Sequence, residues 1–139
     1  MGYTHYWRVE PDPFDDLAWA KLCADTKRLF QASPERLCFG YCEQSTPPLV
    51  DTENIRFNGR GQGACEDFLL APGRSAFNFC KTARLPYDQV VCAVLAAARD
   101  RSLAISVTSD GTPDEWAPAL VWASKVLKRP IGCPVVTES

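Results

Sequence analysis

The sequence has one histidine, one methionine and no apolar run that approaches the roughly 18 residues needed to cross a membrane. It also has no excess of either charge, since 15 basic and 17 acidic residues give a formal net charge of −2. The absence of a long apolar run argues against a membrane protein. The absence of excess positive charge argues against a nucleic-acid partner held by a broad basic face, although it leaves room for a local basic patch.

The first residues lack the charged leader and apolar segment of a signal peptide, which favours a cytoplasmic location. Without an export signal, an odd count of seven cysteines predicts reduced thiols rather than disulfides. Cys38 and Cys42 are the only close pair, and no second pair completes four zinc ligands. Two buried cysteines on one face of a strand are therefore favoured over structural zinc, and we expect no metal and no cofactor.

The length of 139 residues and the hydrophobic fraction of 46% predict one globular domain over residues 1–139. Alternating residue types predict strands at residues 2–9, 36–42, 55–58, 65–71 and 103–108. A strand-like segment follows the glycines of residues 59–64, so this stretch predicts a hairpin turn rather than a phosphate loop. The proline-rich residues 43–54 predict a surface loop that should not pair in the centre of a sheet.

The first predicted helix has Asp12 as its N-cap and Pro13 at its first position. Its apolar stripe includes Leu22, and the spacing places Asp25 on the opposite, polar face.

The second predicted helix begins at Pro86, and its uncharged residues 90–98 predict burial on most sides. The third begins with a capping box of Thr112 and Glu115. Pro118 leaves two alternatives, a kinked helix or a turn followed by a helix that starts at Pro118.

This order of elements predicts an α+β fold, a two-layer sandwich in which about three helices cover a four- to five-stranded, mostly antiparallel or mixed sheet. We expect Leu22, Val91, Val94, Leu95 and Ile105 to be among the most buried residues. The small residues of the second helix also permit close approach of another subunit, so we predict a homodimer.

Several strings in the sequence, among them "GYTHYW", "RFNGRG", "CEDF", "FCKTARLPYD" and "TSDG", resemble a family of small uncharacterised proteins of phages, prophages and bacterial mobile elements. The resemblance covers about residues 2–116. It implies no catalytic residue, because the family has no established activity. Cys65 stands where the family pattern has histidine, which puts any role of that position in doubt.

Lys81, Arg84, Tyr87 and Asp88 crowd into eight residues before the uncharged helix. Two cations at a helix start can bind phosphate or carboxylate. The alternative is a solvated loop in which the negative charge of Asp88 interacts favourably with the dipole of the helix. Because that dipole disfavours cations, we expect at least one of the two to pair with a carboxylate from elsewhere in the chain.

The expected partners are Glu66 and Asp110, which are also candidate proton carriers together with His5. Each has a structural alternative: His5 as a hydrogen-bonded core residue, Glu66 at a strand end, and Asp110 in a turn. Cys80 lies beside Lys81, which can lower the pKa of a thiol, but no histidine is near it in sequence.

Two classes of function stay open. The favoured one is a non-catalytic binding or adaptor protein of a mobile element, recognising a protein partner or a small anionic ligand. The alternative is a small hydrolase or transferase acting on a phosphorylated compound, with Lys81 and Arg84 holding the anion. A charged loop and a proton carrier in one cleft would favour the enzyme, whereas an apolar or aromatic surface patch would favour the binding protein.

Overall fold

The computed structural model describes residues 2–10, 14–73 and 75–136, with residues 75–77 described by their backbone alone. Its three helices are α1 (Asp16–Ala32), α2 (Asp88–Arg101) and α3 (Pro113–Leu127). Its strands are β1 (Thr4–Val9), β2 (Leu37–Cys38), β3 (Leu49–Val50), β4 (Ile55–Gly59), β5 (Phe68–Leu70), β6 (Ser75–Lys81) and β7 (Ile105–Ser109). The strands form two antiparallel sheets, which confirms the α+β prediction.

The first sheet has the strand order β6-β1-β7, so the aromatic N-terminal strand lies in its centre. Alternate residues of β1 point to opposite faces, and His5, Trp7 and Val9 are buried on the helix side. In the second sheet β4 pairs with β2, β3 and β5. The two sheets meet where the Glu66 N–H donates to the Lys81 carbonyl at 3.1 Å.

Helix α2 forms the centre of the core. All nine residues from Val90 to Ala98 are buried, and the helix contacts α1, α3 and β7. The predicted core residues Leu22, Val91, Val94, Leu95 and Ile105 are confirmed, each with 0% of its surface exposed. The small residues that motivated the prediction of a homodimer are therefore covered within one chain, and the homodimer stays a prediction without that support.

Strand β6 is the main element that sequence reasoning missed. No strand was predicted here, but residues up to Lys81 pair with β1, and only residues 82–87 form the turns before α2. The polar Asn78 and Lys81 interrupt the apolar pattern of this strand, and the charged residues that follow are typical of a loop.

Helix α1 begins later than predicted. Asp15 is its N-cap and accepts the Ala18 N–H, whereas the predicted cap residues Asp12 and Pro13 lie outside the described residues. The prediction that Asp25 faces solvent is wrong. Its carboxylate accepts hydrogen bonds from both Arg101 and Arg129, and such partners cannot be seen from the spacing within one helix.

The predicted strand at residues 36–42 shortens to β2, and Cys38 is buried while Cys42 is exposed, so the two cysteines do not share one buried face. Leu49 and Val50, in the predicted loop, pair with β4. The hairpin between β4 and β5 is confirmed, with Gly61 at a positive φ of 59°.

The capping box of Thr112 and Glu115 is also confirmed at the start of α3. The helix continues through Pro118, which excludes the alternative of a start at that residue.

Candidate functional site

Most of the candidate residues converge at one end of the three-stranded sheet. Because β1 is antiparallel to both neighbours, its first residues lie beside the last residues of β6 and β7. The register pairs Thr4 with Lys81 and His5 with Ser109. Helices α2 and α3 begin at the same end, since the loops after β6 and β7 lead directly into them.

A hydrogen-bonded chain of four side chains lies beneath this end. His5 is fully buried, with Nε2 2.6 Å from Asp88 Oδ1 and Nδ1 2.7 Å from Ser109 Oγ. The Thr82 hydroxyl donates to the same Asp88 oxygen at 2.5 Å. The alternative reading of His5 as a hydrogen-bonded core residue is therefore confirmed, and Asp88 is its partner rather than only an acid for the helix dipole.

The bonds to Ser109 determine where His5 carries its proton. Ser109 Oγ accepts the Gly111 N–H at 2.8 Å and the Trp116 indole N–H at 3.1 Å, which occupies both of its lone pairs. Its hydroxyl must then donate to His5 Nδ1. We assign the imidazole proton to Nε2, from which it is donated to Asp88.

Hydrogen bonds outweigh burial at Asp88. Burial alone would raise the pKa of this carboxyl, but the bonds from His5, Thr82 and Cys92 hold the pKa below its ordinary value. Asp88 is therefore ionised at neutral pH and acts as the acceptor on which the network converges.

Cys92 adds a third potential metal ligand, which sequence reasoning missed. It lies one turn after Asp88 on α2, with Sγ 3.5 Å from His5 Nε2 and 3.6 Å from Asp88 Oδ2. The ligand atoms of His5, Asp88 and Cys92 lie within 4.8 Å of one another. The spacing of Asp88 and Cys92 was a visible signal, but nothing in the sequence placed His5 beside them.

The chemistry of these donors fits a hydrogen-bonded core better than a cation. Burial, followed by the charge of Asp88, raises the pKa of the Cys92 thiol, so the sulfur keeps its proton. His5 presents an N–H rather than a lone pair toward Asp88 and Cys92. A metal ion would have to displace both protons.

We therefore expect the purified protein to bind no stoichiometric zinc, and the single histidine allows a direct check. Long-range ¹H–¹⁵N correlation spectra should show the His5 proton on Nε2, and one equivalent of zinc should leave these imidazole signals unchanged. A shift to the Nδ1–H form with zinc, or zinc found by elemental analysis after purification without chelator, would overturn the assignment.

The side chains of Tyr87 and Glu66 both bind backbone groups of the fold. Tyr87 is buried and its hydroxyl donates to the Glu66 carbonyl at 2.7 Å. The Glu66 carboxylate accepts the Lys81 backbone N–H at 2.7 Å, so it lies at a strand end as the alternative reading proposed. Burial raises the pKa of the Cys80 thiol, so the neighbouring Lys81 does not activate it.

Asp110 also binds backbone, since its carboxylate accepts the Thr4 N–H at 3.0 Å. This bond ties the turn after β7 to the first residue of β1. The reading of Asp110 as a turn residue therefore accounts for its geometry.

Arg84 has the carboxylate partner that we expected for one of the two cations, but the partner is Glu115 rather than Glu66 or Asp110. The guanidinium also lies 4.1 Å from the centre of the Tyr3 ring. Ala83 and Arg84 both have positive φ values, 54° and 60°, which non-glycine residues rarely adopt. Lys81 lies instead beside Gly2, so the two cations have different surroundings.

The opposite face of the β6-β1-β7 sheet carries a second group of side chains. Residues directly opposite each other in antiparallel strands share a face, so the register places Phe79 and Thr108 beside Tyr6, and Ser106 beside Arg8. Phe79 is 54% exposed. We call this surface the open sheet face; its residues are Tyr6, Arg8, Phe79, Lys81, Ser106 and Thr108.

A separate cationic cleft lies between the start of α2 and the β4–β5 hairpin. It has a volume of about 270 Å³, and its lining includes Arg36, Arg60, Glu35 and Tyr87. Of the predicted site residues, Tyr87 alone is among the residues that line it. The cleft is a second place where a small anion could be tested.

Comparison of the chain with protein-family models, curated proteins and solved structures gave no match. Among the helices of the described residues, none is long and apolar enough to cross a bilayer.

Proposed function

We propose that this protein is a non-catalytic binding protein that recognises an anionic ligand or partner at the open sheet face. The observation that carries the proposal is the composition of that surface. Strands β1, β6 and β7 contain no aspartate or glutamate, although the whole chain has a net charge of −2. The register places an exposed aromatic side chain, two exposed cations and two exposed hydroxyls together on one face of this sheet.

The internal bonding of the candidate catalytic groups supports the same proposal. Glu66 and Asp110 bind backbone N–H groups, Arg84 is paired with Glu115, and His5 is fully buried. These groups stabilise the fold and are not directed into a shared cleft among the described residues. The resemblance to phage and mobile-element proteins is compatible with an accessory binding role and supplies no activity.

One observation favours the alternative, a small hydrolase. Asp88, His5 and Ser109 form a carboxylate–imidazole–hydroxyl chain of the kind that activates a nucleophile. Against this, both lone pairs of Ser109 Oγ are occupied by N–H donors, so attack on a substrate would require a bond to break. We expect no phosphatase or esterase activity toward p-nitrophenyl esters that depends on Ser109, and a loss of turnover in Ser109→Ala would contradict this expectation.

Binding can be tested with a generic polyanion as the probe. When a short heparin fragment is titrated into ¹⁵N-labelled protein, the largest amide shifts should fall on β1, β6 and β7. Arg8→Gln combined with Lys81→Gln should abolish these amide shifts. The free energy of unfolding should stay within about 0.5 kcal/mol of that of the parent, because both residues are exposed.

The matched control is Arg36→Gln combined with Arg60→Gln, which removes two exposed cations from the cleft and leaves the open sheet face intact. It should leave binding unchanged. If this control abolishes binding and the Arg8 and Lys81 variant does not, the anion site is the cleft and the proposed surface is wrong.

A further inference from the structure

We propose that the ligand of the open sheet face is single-stranded nucleic acid, an inference that rests on the proposed function. Such a ligand needs flat aromatic surfaces for its bases and cations for its phosphates. The sequence argued against nucleic acid held by a broad basic face. A small platform, that is, a surface on which bases stack, does not need a broad basic face, because contact between bases and aromatic side chains supplies much of the binding free energy.

The aromatic part of the platform lies at its centre. Tyr6 and Phe79 are directly opposite on neighbouring strands, with β1 in the middle of the sheet. Side chains in this relation are about 5 Å apart at their Cβ atoms, so both can contact adjacent bases. Phe79 exposes more than half of its surface, which is unusual for a phenylalanine in the interior of a strand.

The cations flank this aromatic pair on opposite sides. Arg8 follows Tyr6 by two residues on β1, and Lys81 follows Phe79 by two residues on the antiparallel β6. The register places Lys81 opposite Thr4, so the two cations are about 13 Å apart along the sheet at ~3.3 Å per residue. A strand whose bases lie on the aromatic pair would bring phosphates toward both cations.

Hydroxyl groups complete the surface on the β7 side. Ser106 and Thr108 line a groove of about 210 Å³ together with Tyr6 and Arg8. They can donate to and accept from base edges without selecting one base. A duplex is a poor fit, because its bases are already stacked and the described part of the platform offers two cations. An acidic peptide would use the cations but would not need the aromatic pair.

The test uses fluorescence anisotropy with labelled eight-nucleotide oligomers, U8 and dT8, and a blunt duplex of mixed sequence. We expect both single strands to bind, with dissociation constants of about 1 to 100 µM and a slope of log K against log salt near −1.4 for two phosphate contacts. The duplex should bind at least about tenfold more weakly. Tighter binding of U8 than of dT8 would indicate contact with the 2′-hydroxyl, and equal binding would indicate stacking and phosphate contact alone.

The decisive variants separate stacking from charge. Phe79→Ala should weaken U8 and dT8 binding roughly 5- to 150-fold without changing the salt slope. Arg8→Gln should reduce the slope by about 0.7. Tyr41→Ala is the matched control, because Tyr41 is 60% exposed and lies outside the platform, and it should have no effect.

The heparin and oligomer measurements separate the two proposals. If heparin binds through Arg8 and Lys81 but the oligomers do not, or if Phe79→Ala has no effect, the ligand is not single-stranded nucleic acid. Anion binding at the open sheet face is then unaffected. If the duplex binds as tightly as the single strands, the surface recognises charge alone and the inference is wrong. If neither heparin nor the oligomers bind, both proposals fail.

Discussion

Asp25→Ala is expected to destabilise the protein by about 3–5 kcal/mol, because it leaves two guanidinium groups without their shared carboxylate. The Asp25 side chain is 4% exposed, and its two oxygens accept four hydrogen bonds from Arg101 and Arg129, at 2.7 to 3.1 Å. These arginines lie at the end of α2 and just after α3. The loss would therefore loosen all three helices together.

Urea denaturation followed by tryptophan fluorescence measures the effect, with the slope against urea as a check on two-state unfolding. The matched control is Asp100→Asn, because Arg129 is the one ion-pair partner of Asp100 among the described residues and the Asp100 side chain is 37% exposed. It should cost less than about 1 kcal/mol. Equal losses in the two variants would show that the buried position of Asp25 gives its ion pairs no special weight.

Asp88→Ala is expected to cost about 2–5 kcal/mol, because the His5 N–H, the Thr82 hydroxyl and the Cys92 thiol all lose their acceptor. Asp88→Asn should cost less, since an amide oxygen can still accept the bond from His5. The same urea titrations measure both. A matched exposed acid is Asp114 in the first turn of α3, where alanine should cost about 0.3–1 kcal/mol.

The pH dependence of stability follows from the lowered pKa of Asp88. In both Asp25 and Asp88, burial opposes ionisation, but hydrogen bonds outweigh it and hold the pKa below the ordinary value. A carboxylate with a lowered pKa in the folded state contributes stability above its unfolded pKa, near 4, and this contribution is lost as pH falls through the folded pKa. The free energy of unfolding of the parent should therefore fall on acidification below about pH 5, and that of Asp88→Asn should fall less steeply. An equally steep fall in the parent and in Asp88→Asn would contradict the lowered pKa of Asp88.

Periodicity predicted the elements that depend on local patterns. Helix α2, the capping box at Thr112 and the β4–β5 hairpin each have a signal within a few residues, because the physical cause is itself local. Strand β6 was missed because its pairing partner, β1, is about 70 residues away and its own sequence mixes apolar and polar residues.

The candidate site likewise combines residues that had a local sequence signal with contacts between distant segments that had none. Asp88 and His5 were each selected for their chemistry, but only the sheet register brings them to 2.6 Å. Cys92 and Ser109 received no attention as site residues, since a cysteine in an apolar helix and a serine in a strand are ordinary residues there. Glu115 was identified as a cap and not as the partner of Arg84, because the left-handed turn at Ala83 and Arg84 has no sequence signal.

The central position of β1 has a consequence for how the protein is made. Thr4–Val9 is synthesised before both of its partners, Ser75–Lys81 and Ile105–Ser109. Its aromatic residues must remain unpaired while most of the chain is translated, and the sheet closes only when the last partner arrives. Contacts this distant in sequence slow folding relative to local ones, so β1 stays exposed to chaperones and to aggregation until both partners are available.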